Sequence, residues 1–187
     1  MLALAGRIRQ IMSMIQHDHY SDALIRSVLT SVKTIAVVGA SDNPARPSYL
    51  VFKYLMQRDF KVIPVNPGRV GHTMLGVPFV ATLTDIHEPV DMVNIFRASE
   101  AALGVVDDAL ALVPLPKFIW MQLGVINAAA AEKAEAAGLT VIMNRCPKIE
   151  YGRLSGEISW QGVNSRIISS KKPVLAGKGV QKLGLGS

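Results

Sequence analysis

Residues 34–48 read TIAVVGASDNPARPS. The first five, Thr34 to Val38, are mostly β-branched and do not alternate with polar residues. That pattern predicts a strand buried on both faces rather than one half-exposed to water. The run stops at Gly39, and residues 39–47 form a loop of mostly small and turn-forming residues. Pro47 closes that loop and suits the first turn of a helix, where its missing N–H costs nothing. The order strand, loop, helix then recurs along the chain.

Upstream, residues 22–30 (DALIRSVLT) carry apolar residues at helical spacing, with Ser21 or Asp22 as the cap. Downstream, residues 48–58 are helical in pattern, and residues 61–65 (KVIPV) form a second strand in which Pro64 predicts an end or an irregularity. Asn66-Pro67-Gly68 signals a turn. Residues 69–86 are a long connection with a short strand around 77–80. Residues 91–96 (DMVNIF) are the third core strand, 100–112 a helix, and 118–121 the fourth strand. Residues 127–137 form a helix capped by Asn127 and ended by Gly138, and 140–143 the fifth strand. This alternation predicts an α/β domain: a mainly parallel sheet of about five strands between two layers of helix. The expected boundaries are an N-terminal extension of helical character (1–19), the domain (20–155) and a basic C-terminal extension (156–187).

Composition narrows the function classes. At roughly 100–200 residues per domain, 187 residues predict one domain. Hydrophobic residues make up 50% and charged ones 18%, which excludes a disordered chain. No apolar run reaches the roughly 18 residues a membrane-spanning helix needs. The lone cysteine, Cys146, excludes an internal disulfide framework and a Cys-rich zinc site. Four histidines and few aromatics leave little for a His-rich metal centre or a base-stacking platform. Most of the net charge of +6 comes from Arg153, Arg166, Lys171, Lys172, Lys178 and Lys182 against Glu157, so the body is nearly neutral. A nucleic-acid-binding body would need its own basic face. The basic end is either a solvated extension or a salt-sensitive contact for nucleic acid or a partner. Arg7 and Arg9 interrupt the first apolar stretch, so a signal peptide is not expected and the cytoplasm is.

In an open parallel sheet, ligands bind beyond the carboxyl ends of the strands. The residues there are Gly39, Ala40, Ser41, Arg46, Pro47 and Ser48 after the first strand, then Asn66, Pro67, Gly68 and Arg69 after the second. Arg97 follows the third, Gln122 and Gly124 the fourth, and Asn144, Arg145, Cys146 and Pro147 the fifth. The first loop opens toward a helix N-terminus, a setting suited equally to a phosphate and to an ordinary connection. A dinucleotide fingerprint would need glycines where Ser41 and Pro44 stand, and an acidic residue near Val65 or Asn66. Their absence, with Arg69 nearby, favours a ligand with an extra phosphate over NAD and leaves NADP open. Cys146 is the one nucleophile candidate, with Arg145 or Lys148 able to lower its pKa. It reads more readily as a small packed residue at a strand end. His72 and His87 read as solvated loop residues, and no serine-hydrolase, phosphate-loop or zinc-protease motif is present.

Taken together, Val38-Gly-Ala-Ser41 with Pro44 and Arg46-Pro-Ser48, Val65-Asn-Pro-Gly68, Val90-Asp-Met-Val-Asn-Ile-Phe-Arg97, Trp120-Met-Gln-Leu-Gly124 and Asn144-Arg-Cys-Pro147 resemble the stand-alone CoA-binding proteins. These are similar to the N-terminal domain of the succinyl-CoA synthetase α subunit. The resemblance spans about residues 20–155. It implies a Rossmann-like domain that holds coenzyme A across the strand ends, in a cytoplasmic small-molecule binder without catalysis of its own. By that resemblance Gly39, Ala40, Ser41, Arg46, Pro47 and Ser48 face the phosphates. Val65, Asn66, Pro67 and Arg69 line the adenosine side. Phe96, Arg97, Met121 and Gln122 continue the wall, and Asn144 and Cys146 lie toward the pantetheine end. The synthetase's phosphorylated histidine belongs to a second domain, so ligase chemistry does not carry over. The sequence departs from the family at Asn144, where stand-alone members often have Asp, and in its basic end. Three alternatives stay open beside the binder: an NADP-linked oxidoreductase, a CoA-dependent transferase, and a mixed disulfide between Cys146 and the CoA thiol. The N-terminal helix packs either on the domain or across a homodimer.

Overall fold

The computed structural model describes residues 17–156. The two expected extensions, 1–19 and 156–187, lie outside that range except at residues 17–19 and 156. In chain order the first elements are α1 (Asp22–Ser31), β1 (Thr34–Val38), α2 (Pro47–Met56), β2 (Lys61–Val65), β3 (Thr73–Met74) and β4 (Val77–Pro78). There follow β5 (Met92–Ile95), α3 (Ala102–Leu110), β6 (Phe118–Met121), α4 (Ala128–Ala136), β7 (Thr140–Ile142) and α5 (Pro147–Leu154). Five strands form one parallel sheet in the order β2-β1-β5-β6-β7. The fold is the expected Rossmann-like α/β architecture.

The non-alternating strands are buried on both faces because helices cover both. Ile35, Val37, Met92 and Trp120 pack with Ile25 and Val28 of α1 and Val51, Phe52 and Leu55 of α2. Ala36, Val93, Ile95, Ile119 and Met121 pack the other way, with Val106 of α3 and Ala130 and Ala134 of α4. Phe52, Leu55 and Ile95 are closed to solvent, and each contributes roughly 1.5–3 kcal/mol through burial. Ser21 caps α1 by accepting the Leu24 N–H (3.2 Å), and Asn127 caps α4 by accepting that of Ala130 (2.9 Å).

Three local features differ from expectation. Pro64 does not end β2: the strand runs on to Val65 at the sheet edge, where the Pro64 carbonyl accepts the Val80 N–H at 3.1 Å. An edge strand tolerates the missing donor. The strand expected around 77–80 is half of a small hairpin with β3, turned by Leu75 and Gly76 at φ 51° and 86°. Helix α5 is not among the expected elements, although Pro147 stands in its first turn as Pro47 does in α2. It packs Ile149, Tyr151 and Leu154 against the α1/α2 side of the core.

After β1 the chain passes through α2 to β2 on one side, then returns across β1 to β5 on the other. This places the reversal of strand order between the carboxyl ends of β1 and β5, where an open α/β sheet forms its crevice. At the opposite edge Asp91 ties three strands together. Its Oδ2 accepts the N–H groups of Lys33 (2.9 Å) and Thr34 (3.1 Å), and its Oδ1 accepts from Lys117 Nζ (3.0 Å). Among the described residues no helix is long and apolar enough to cross a membrane.

Burial pushes the Asp91 carboxyl up, but the Lys33 and Thr34 N–H groups and the Lys117 ammonium together hold it below its ordinary range. A carboxylate depressed in the folded state stabilises above its unfolded pKa and stops doing so as pH falls through the folded value. Asp91→Asn is therefore expected to cost about 1–2 kcal/mol at pH 7. That cost shrinks below about pH 4, as comparison of denaturant midpoints across pH will measure.

Candidate functional site

The first loop is built on a close approach. Gly39 follows β1 at φ +82°, and a Cβ there would stand 2.6 Å from the Phe96 carbonyl oxygen and 2.9 Å from Arg97 Cδ. The segment leaving β5 thus lies directly over the end of β1, with the Arg97 side chain beside Gly39. Beyond the buried Ala40, nested turns shape the loop. Ser41 Oγ accepts the Asn43 N–H (3.3 Å), and Asn43 Oδ1 accepts the Ala45 N–H (2.9 Å). Helix α2 then begins at Pro47 with no side-chain cap, after the exposed Arg46. Its positive end faces the loop with no side chain among the described residues capping it, while the Tyr49 and Leu50 N–H groups donate to the Arg46 carbonyl (3.1 and 3.3 Å). Ser48 is buried at the same end.

The end of β2 is braced to the end of β1. Gly39 N–H donates to the Val65 carbonyl (3.0 Å), and Asn66 Nδ2 donates to that of Ala40 (2.8 Å). Asn66 Oδ1 also accepts the Gly68 N–H (3.0 Å), setting the turn at Pro67–Arg69. Arg69 is not a free cation. Its guanidinium lies 3.4 Å from Asp42 Oδ1, and His72 Nδ1 lies 2.9 Å from Asp42 Oδ2. The hydrogen bond from His72, aided by Arg69, holds the Asp42 carboxyl below its ordinary range. The sequence reading missed this trio. Its members stand up to 30 residues apart, and no short-range signal joins them.

A cleft of about 460 Å³ opens at the reversal of strand order. Pro47, Phe96, Arg97, Gln122, Leu123, Gly124 and Val125 line it. Four of these are expected site residues; Leu123 and Gly124 belong to the Trp120–Gly124 motif without an expected contact, and Val125 is not expected. The far wall is held rigidly. Gly124, at φ +80°, donates its N–H to Asn144 Oδ1 at 2.9 Å. Ser99 Oγ donates to the Gly124 carbonyl (3.2 Å) and accepts the Ile126 N–H (3.0 Å). Asn144 sits in the left-handed region at φ 54°, which Asn tolerates better than most residues. Its part in the fold is to brace the cleft wall.

The remaining expected residues lie beneath the site. Val65 and Met121 are buried in one apolar core and Cys146 in the other. Cys146 is 1% exposed, and burial pushes its thiol up to about 11 despite two backbone N–H groups and Lys148 nearby. Arg145 donates to the Asp18 carbonyl (3.0 Å) and lies over the Tyr20 ring. Among the described residues no group of three or more His, Cys, Asp or Glu is placed to hold a metal ion.

Comparison with known proteins gives a consistent result. The family described as "CoA binding domain" matches residues 33–152. The Bacillus subtilis protein YneT is 40% identical over 131 residues, covering 70% of this chain and 94% of its own. The structure titled "cell-free ID.343 from Thermus thermophilus" is 36% identical with a TM-score of 0.68, over 72% of this chain and 99% of that one. The acetyl-coenzyme A synthetase 1 of Ca. Korarchaeum cryptofilum is 28% identical with a TM-score of 0.52. The match to it covers 60% of this chain and 26% of the synthetase.

Two outcomes follow from the packing. Gly39→Ala is expected to lower stability by roughly 1–3 kcal/mol from the backbone conformation alone, more if Phe96 cannot yield, as denaturant unfolding will measure. Cys146 in native protein at pH 8 is expected to react with a thiol reagent orders of magnitude more slowly than in denatured protein, the rate tracking denaturant concentration. Fast labelling of the native state would contradict the closed packing.

Proposed function

We propose that this chain, which belongs to the CoA binding domain family, binds coenzyme A or an acyl-CoA along the carboxyl edge of its sheet, without catalysis of its own. The observation that carries this reading is the cleft at the strand-order reversal, with Arg97 beside Gly39 and the uncapped start of α2 at its rim. An anion there meets a helix N-terminus, and Arg46 and Arg97 add guanidinium groups suited to phosphate oxygens. CoA offers a pyrophosphate to that corner and a 3′-phosphate to the β2 end, where Arg69 stands. Because Arg69 is paired with Asp42, a phosphate arriving there must share or displace that carboxylate. Phe96, Leu123 and Val125 give the cleft an apolar wall suited to the pantetheine arm.

The closure of Cys146 disfavours the mixed disulfide and any transferase that would use this residue as its nucleophile, since both need an accessible thiolate. In this reading the partner is the small molecule, in the cytoplasm. A thermal-shift titration with CoA, dephospho-CoA, NAD and NADP tests it. At 100 times Kd, CoA should stabilise the protein by about 2.7 kcal/mol, a shift of roughly 5–10 °C. Dephospho-CoA should give a smaller shift and NAD none. Arg97→Ala should weaken CoA roughly 10- to 100-fold, as expected for losing a charged hydrogen bond. A shift with NADP alone would move the reading to a reductase, and no shift with CoA would remove it.

A further inference from the structure

Asn94 stands in β5, at the centre of the sheet, with no exposure, and Gln122 just past β6 is 3% exposed. In register Asn94 lies between Val37 and Trp120, on the face that α1 and α2 cover. A carboxamide has a donor edge and an acceptor edge. Gln122 Nε2 donates to Asn94 Oδ1 at 3.3 Å, which uses one edge of each. Asn94 Nδ2 and Gln122 Oε1 are left buried with no partner. Turning both amides over exchanges the atom names but still leaves one donor and one acceptor unmet. Unmet polar atoms are rare in a sheet interior, and a pair of leucines would avoid the penalty. Gln122 also lines the cleft.

We infer that Gln122, held on one edge by Asn94, offers its other edge to a secondary amide of the ligand. Gln122 is the contacting residue and Asn94 the positioning one. A secondary amide meets either edge, its N–H at an acceptor and its C=O at a donor. The inference rests on the CoA reading above and deepens it, because the pantetheine arm carries such amides and the adenosine half carries none. The strand order gives the alignment. With the nucleotide at β2 and β1, the arm runs on across β5 and β6, where this pair sits.

The test compares full-length wild type, Gln122→Met and Asn94→Leu by calorimetric titration with two probes, CoA and adenosine 3′,5′-bisphosphate. Gln122→Met keeps side-chain length and removes the amide. It should weaken CoA about 5- to 10-fold, as for one lost hydrogen bond, and leave the bisphosphate within twofold. Asn94→Leu should produce the same split. Each variant also breaks the Asn94–Gln122 hydrogen bond and leaves the partner amide unmet, so both should melt modestly below wild type, and the split between the two probes is the readout. A purely structural role would weaken both probes together. Equal weakening of the two probes, or CoA bound as tightly by Gln122→Met as by wild type, overturns the inference and leaves the CoA reading standing. If wild type binds no CoA, that reading falls and this inference falls with it.

Discussion

At the end of β1 the Phe96 carbonyl passes so close to Gly39 that a Cβ would stand 2.6 Å from its oxygen. The rest of the candidate site depends on that approach. It brings the exit of β5 over the exit of β1, lays the Arg97 side chain beside the first loop, and leaves the cleft to open toward β6. A bulkier residue at 39 would have to push Phe96 and Arg97 outward, separating the cation from the start of α2. The constraint is steric, and an electrostatic consequence follows: a helix N-terminus and a guanidinium share one corner.

Around that corner the loops are fixed by polar side chains bonded to backbone groups. Asn66 joins the ends of β2 and β1, Asn144 holds Gly124, and Ser99 grips the segment from Gly124 to Ile126. Each such bond removes freedom that a ligand would otherwise have to remove on binding. The two charged ends differ. Arg46 and Arg97 are exposed at the rim, whereas Arg69 and His72 already face the carboxylate of Asp42. A phosphate at the β2 end therefore exchanges one anion for another, and gains less than one at the α2 end.

The strands and most helices were legible because their signals are local: non-alternating β-branched runs, an Asn cap at 127, a glycine at 39. What escaped depends on tertiary contact. Helix α5 is eight residues long and contains Gly152, which leaves it little intrinsic helicity. It is held by the partly buried Ile149, Tyr151 and Leu154 packed against the core and by Arg153, which pairs with both Asp22 and Glu150. The Asp42–His72 contact and the Gly124–Asn144 bond span 30 and 20 residues, so they become visible only once the sheet order is known. The sequence places Asn94 in a strand and in the Val90–Arg97 motif, but only the register shows its side chain between Val37 and Trp120 at the sheet centre.

Cys146 shows how burial and charge compete at this edge. Adjacent basic residues, the start of α5 and backbone N–H groups all favour a thiolate, and the sequence alone left a reactive cysteine open. In the fold the side chain turns into the α1/α2 core, and desolvation outweighs the cations. A thiol raised to about 11 stabilises the fold below its unfolded pKa near 9, and that contribution is lost as pH climbs through the folded value. At neutral pH the group is an apolar filler. Among the described residues the carboxyl edge presents, in place of a thiolate, the guanidinium ions of Arg46 and Arg97, the start of α2, the Gln122 carboxamide and the Asp42–His72 pair.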